Sequence, residues 1–135
     1  MYTGMLHLHH FLPFIFLLLL VMNIFRSFLG RIENTKKDKL LLFTLILAHL
    51  QLLIGLFLLF PLPEVEMSVI MRDSTRRFKY IEHPSIMFIA VILITIAKSR
   101  SKKIEDIAKA NKTIFIYFII ALVLIALRTP WDKLF

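Results

Sequence analysis

The chain has 135 residues, of which 59% are hydrophobic and 19% charged, with a net charge of +8 and no cysteine. A soluble domain of this size is mostly surface and cannot bury so much apolar area, so lipid is the solvent that suits the composition. The absence of cysteine excludes thiol redox chemistry, thiolate zinc sites, iron–sulfur ligation and covalent haem attachment.

The first predicted element is an apolar stretch over about 5–28. No Lys or Arg precedes Arg26 and no small-residue cleavage site follows the stretch, so a retained helix is expected and not a signal peptide. Its start reads MLHLHHFLP. His7, His10, Phe14, Leu17 and Val21 share one helical face; His9 falls on roughly the opposite side, because two residues turn a helix through about 200°. Pro13 leaves the carbonyl of His9 without its helical donor, which predicts a local kink.

The second apolar stretch, about 40–61, carries Thr44, Ala48, Gln51 and Gly55 as a small and polar stripe of the kind along which membrane helices approach. His49 lies one step around the helix from that stripe. "PLP" at 61–63 ends it. Over about 66–81, Met67, Ile70, Met71, Ser74, Phe78 and Ile81 recur at helical spacing, with Arg72, Arg76, Arg77 and Lys79 on other faces. That pattern predicts an amphipathic helix lying at the membrane interface and running towards Pro84. The third stretch, about 83–98, aligns His83, Met87, Ala90, Ile94 and Ala97; the fourth, about 112–129, aligns Thr113, Tyr117, Ala121, Leu124 and Arg128.

These runs are too long and too uniformly apolar for barrel strands, which alternate. The fold expected is all-α: one domain over 1–135, a polytopic membrane protein built as an up-down-up-down four-helix transmembrane bundle. The connections after spans one and three together hold eleven Lys/Arg against four acids, whereas the one between spans two and three holds four against four. The positive-inside rule therefore expects the first and third connections in the cytoplasm of a bacterial inner membrane, with both termini periplasmic. The cations flank apolar segments and do not line a groove with interleaved aromatics. They fit lipid head groups and no nucleic acid.

Ionisable groups inside a membrane are costly and face the bundle interior, and histidine is the cheapest of them. All five histidines fall in the non-cytoplasmic half or near the middle. Counting from the cytoplasmic cations, His9 stands about 25 Å along its span, His83 about 22 Å and His49 about 15 Å. A lone histidine in such a place can simply hydrogen-bond a neighbouring helix, and HLHH can snorkel to the interface. Imidazoles from separate spans at one level also suit a b-type haem, with ligands from among His7, His9, His10, His49 and His83. Its edge would meet small residues such as Ala90 and Ala121, and Arg72, Arg76, Arg77, Lys79 or Arg128 would face its propionates. The same cations suit lipid head groups equally well. Glu82 would orient the His83 imidazole.

A copper or zinc site using His7, His9, His49 and His83 is the competing metal reading, with His7 and His10 close enough along one face to share an ion. No Asp or Glu lies within a span, which argues against a di-iron carboxylate centre. A quinone hydrogen-bonded by His49 or Tyr117 is a further option, and so is a cofactor-free interaction or assembly subunit. There is no nucleotide loop, nucleophile triad or protease motif, so an electron-transfer or accessory subunit is expected before a stand-alone enzyme.

The pieces MYTGMLHLHHFLPFI, the H-x-Q of span two, the EHP opening span three and the terminal PW occupy His7, His9, His49, Gln51, Glu82, His83, Pro84, Pro130 and Trp131. Over nearly its whole length the chain resembles a family of short four-span membrane proteins from Bacteroidota whose members are often labelled "cytochrome B". The resemblance implies haem b binding and electron transfer beside a larger membrane complex. Of the first-span histidines it favours His7 and His9 over His10. The chain departs from the family where His10 replaces an expected serine and Pro13 an expected arginine. Any anion that arginine holds in relatives is held otherwise here.

Overall fold

The computed structural model describes residues 2–59, 72–74 and 81–128. Four helices form: α1 (Tyr2–Phe28), α2 (Lys39–Leu59), α3 (His83–Ser101) and α4 (Ile107–Arg128). Nearly all of the expected interfacial helix, and Arg76, Arg77, Pro130 and Trp131, lie outside the described residues.

All four helices are long and apolar enough to cross a membrane, so the chain is a multi-pass membrane protein. At most a third of each span is buried inside the protein. Phe25, Leu53, Phe88 and Leu127 are among the many large apolar side chains left on the outside, where hydrocarbon is the matching solvent. The principal packing runs α1 to α2, α2 to α3, α3 to α4 and α4 back to α1. The result is a four-helix ring in which α1 and α3 stand diagonally.

The α2 stripe points inward as its spacing predicts. Thr44 and Ala48 are buried, and a Cβ added at Gly55 would stand 3.2 Å from Cε1 of His9. On α3, Ala90, Ile94 and Ala97 are buried and Met87 packs on the core. The other two helices differ from expectation. α1 buries Leu12, Phe16, Leu20, Asn23, Ile24 and Ser27, the side that carries His9. α4 buries Ala110, Asn111, Ile114, Phe118, Ala121 and Ile125, so only Ala121 of its predicted stripe is in the core.

α4 also starts five residues earlier than the apolar pattern suggests. The Asp106 carboxylate accepts the Ala108 amide at 2.9 Å, and its carbonyl accepts the Ala110 amide at 2.9 Å, which launches the helix before its apolar part begins.

The cationic end is tied together by specific bonds. Gly30, at φ +69°, closes α1: its amide donates to the Ser27 carbonyl and the Arg31 amide to that of Arg26, the left-handed glycine termination of a helix. Asp38 then caps α2 by accepting the Leu41 amide at 2.9 Å. Arg26 grips the same carboxylate through both terminal nitrogens, at 2.5 and 3.0 Å, and donates to Asn23 at 2.8 Å. Asn23 in turn donates to Thr44 at 2.6 Å, which joins α1 to α2 inside the bundle. Asn111 of α4 clamps the loop from below, accepting the Ile32 amide at 3.1 Å and donating to its carbonyl at 2.9 Å.

Candidate functional site

The other end of the bundle holds the histidines. Pro13 opens the helical ladder at the His9 carbonyl, as its position predicts. That carbonyl is taken up from across the bundle by Gln51, whose Nε2 donates to it at 2.8 Å. The bond fixes the height of α1 against α2 at the level of His9. It also places the His9 ring on Gly55, the one residue of the stripe without a Cβ to obstruct it.

His83 comes from the diagonal helix. Its Nδ1 lies 2.6 Å from the carbonyl of Arg128, in the last turn of α4. A carbonyl only accepts, so Nδ1 carries the proton and Nε2 the lone pair. The bond satisfies one of the carbonyls that a helix C-terminus leaves over, and it pins α3 to α4. Beside it the Arg128 guanidinium stands 3.5 Å from the Glu82 carboxylate. Glu82 thus lies next to Arg128, and it is the Arg128 carbonyl that orients the imidazole.

The His9 and His83 rings face each other with centroids 6.5 Å apart and planes at 90°. All four helices contribute to this cluster: His9 from α1, Gln51 and Gly55 from α2, His83 from α3 and Arg128 from α4. Two polar atoms within it are buried without a partner, Nδ1 of His9 and Oε1 of Gln51. A neutral His9 ring carries one N–H and one lone pair on its two nitrogens, and Gln51 Oε1 is an acceptor.

The remaining histidines are placed elsewhere. His7 and His10 lie on the exposed side of α1; the His10 ring is 6.3 Å from that of His9, centroid to centroid. His49 is exposed in the seam between α2 and α3, its Nδ1 2.8 Å from the Leu45 carbonyl and its Nε2 3.4 Å from Thr95 Oγ1. Tyr117 reaches the rim, where its hydroxyl accepts from Arg100 at 2.8 Å. Arg72 is exposed. Among the described residues no three His, Asp or Glu side chains gather in a way that would hold a metal ion. A three- or four-histidine copper or zinc cage is therefore not assembled by them.

A pair is a different matter. Two imidazoles bound on opposite sides of one iron, each at about 2 Å, have centroids roughly 6 Å apart. The observed 6.5 Å matches that span. The Arg128 carbonyl puts the His83 proton on Nδ1 and so its lone pair on Nε2, and Ala90 and Ala121 lie about 10 Å deeper as small residues. Two imidazoles at this spacing are the donor pair of bis-histidine ligation. Gln51 is the member of the cluster whose role the sequence did not reveal, although its place in the stripe put it on the right face.

Against protein-family models, curated proteins and solved structures, the chain finds no match.

Proposed function

We propose that this protein binds one b-type haem between His9 and His83 and passes electrons within the membrane, as a small subunit or partner of a larger membrane complex. The observation that carries the reading is the 6.5 Å approach of two imidazoles from diagonal helices. His9 and His83 would hold the haem, which would supply one-electron redox chemistry.

The chain's own part is positioning. The Arg128 carbonyl holds the His83 tautomer and raises the basicity of Nε2, as partners of ligand imidazoles generally do. Gln51 fixes the backbone of His9 through the bond from its Nε2 to the His9 carbonyl. Arg128 would supply a cation for propionates, as would Arg72, Arg76 and Arg77 by their place in the sequence. The excess of Lys/Arg in the other two connections supports a bacterial inner-membrane location with both termini periplasmic, which would set the haem in the outer half of the bilayer. The resemblance to the Bacteroidota "cytochrome B" family agrees with this reading.

The test is elemental analysis with an optical scan of protein purified from haem-replete cells. About one iron per chain with split reduced bands is the expected result. Stoichiometric copper or zinc without Soret absorbance, or a colourless metal-free protein, would overturn it.

A further inference from the structure

At the end of the bundle away from the histidines, the α1–α2 and α3–α4 connections enclose a cavity of about 340 Å³, within the range of small-ligand sites. It lies just beyond one end of the spans, at the level where hydrocarbon gives way to lipid head groups. Both walls are fixed. On one side Asn34 Oδ1 accepts the Lys36 amide at 3.0 Å and the Lys37 amide at 3.3 Å, and Asn111 ties Ile32 to α4. On the other, the Lys102 amide donates to the Lys98 carbonyl at 3.1 Å and the Ile104 amide to that of Ser101 at 3.2 Å. Each wall contributes one ammonium and one carboxylate: Lys36 and Glu33 from the first connection, Lys102 and Glu105 from the second. Among the described residues none of these four charged groups has an ion-pair or hydrogen-bond partner. Thr35 also lines the cavity; it is only 6% exposed, and its hydroxyl has no hydrogen-bond partner among the described residues either. A polar side chain this enclosed is normally hydrogen-bonded, so the cavity is where its partner belongs.

We propose that this cavity binds the headgroup of a zwitterionic phospholipid with a primary ammonium, a phosphatidylethanolamine. Lys36 and Lys102 take the phosphodiester, the Thr35 hydroxyl donates to one of its oxygens, and Glu33 and Glu105 accept from the ammonium. Lys37, Lys98 and Lys103 beside these walls tilt the surrounding field positive, which holds the phosphate and leaves the two carboxylates for a cation. Ile107, half exposed on the first turn of α4, leads from the cavity onto the lipid-facing side, where the acyl chains continue into hydrocarbon. The pairing of charges sets the selectivity. An anionic glycerol headgroup brings no cation to the carboxylates, and a choline headgroup brings one without an N–H to donate. The site stands apart from His9 and His83 and does not depend on the haem reading.

The experiment is native mass spectrometry of the full chain in detergent, titrated with phosphatidylethanolamine, phosphatidylcholine and phosphatidylglycerol carrying identical acyl chains. The first ethanolamine lipid is expected to bind at least about tenfold more tightly than the other two, as loss of a charge-assisted hydrogen bond implies. Glu33→Gln with Glu105→Gln, both at exposed positions that leave the fold intact, should reduce the ethanolamine lipid to the level of the choline lipid and leave the glycerol lipid unchanged. Lys36→Gln with Lys102→Gln should weaken the ethanolamine and glycerol lipids alike. Glycerophosphoethanolamine, the same headgroup without acyl chains, serves as the soluble competitor and should displace the lipid only in large excess. Equal affinity for the three lipids, a preference for the glycerol lipid, or an ethanolamine preference that survives the double Gln variant would overturn the proposal. So would displacement by equimolar glycerophosphoethanolamine, because the ligand would then be a water-soluble phosphate ester and not a lipid.

Discussion

Gln51 and Pro13 act on one backbone atom, the carbonyl of His9. Proline removes its helical donor and Gln51 replaces it from the next helix. Gln51→Leu should therefore cost about 1–3 kcal/mol by stranding a buried acceptor. In a Pro13→Ala background the helix supplies the donor again and the same substitution should cost much less; thermal unfolding in detergent across the four-member cycle measures the coupling. Asn111 is the second such residue. Replacing it with Ala removes two bonds to the buried Ile32 backbone and should lower stability by about 2–4 kcal/mol in the same assay, whereas a change at exposed Lys112 should be near neutral. The carbonyl freed by Pro13 was legible in the sequence because the cause and the effect lie four residues apart. The Asn111 clamp was not, because its partner is 79 positions away and nothing local marks it.

Helix faces were legible where small or polar residues broke the apolar pattern along one side. Thr44, Ala48, Gln51 and Gly55 did so on α2. On α1, an almost continuous apolar run has no hydropathy period, and the face chosen around His7 and His10 proved to be the outer one. The usable signal was Ser27, eighteen residues and five whole turns from His9, with Asn23 close to the same side. On α4, polar residues misled for a different reason. Thr113 satisfies itself by donating to the Lys109 carbonyl at 3.0 Å, and Tyr117 reaches the rim, so neither needs the interior. The α1–α2 hairpin also has a pH signature. Burial alone raises the Asp38 carboxyl, but hydrogen bonds from Arg26 and the Leu41 amide and the charges of Arg26 and Lys98 outweigh it and hold it below the usual carboxylate range. Its contribution to stability is complete above about pH 4 and is lost as pH falls through the lowered folded value. Asp38→Asn should flatten that part of the acid limb in an unfolding series from pH 6 to 2, and an unchanged acid limb would show that the Arg26 pairing adds nothing.

At the scale of the whole molecule the bundle has two unlike ends. One is locked by Arg26, Asp38, Asn23, Thr44 and Asn111, and its loops are structured parts of the fold that charge counting alone treats as blocks of cations. The other converges on two imidazoles set by Gln51, Gly55 and the Arg128 carbonyl. Four spans and their packing were legible because membrane helices announce themselves by length and composition. Which of five histidines meet was not, because the outcome depends on helix rotations that uniform apolar sequence does not encode. The most direct test of the account is haem content, read as Soret absorbance per chain, in His7→Ala, His9→Gly, His49→Ala and His83→Gly. The account predicts that the His9 and His83 variants lose the absorbance and regain it with added imidazole, while the His7 and His49 variants keep it. Loss in His7→Ala or His49→Ala together with retention in His9→Gly would contradict it.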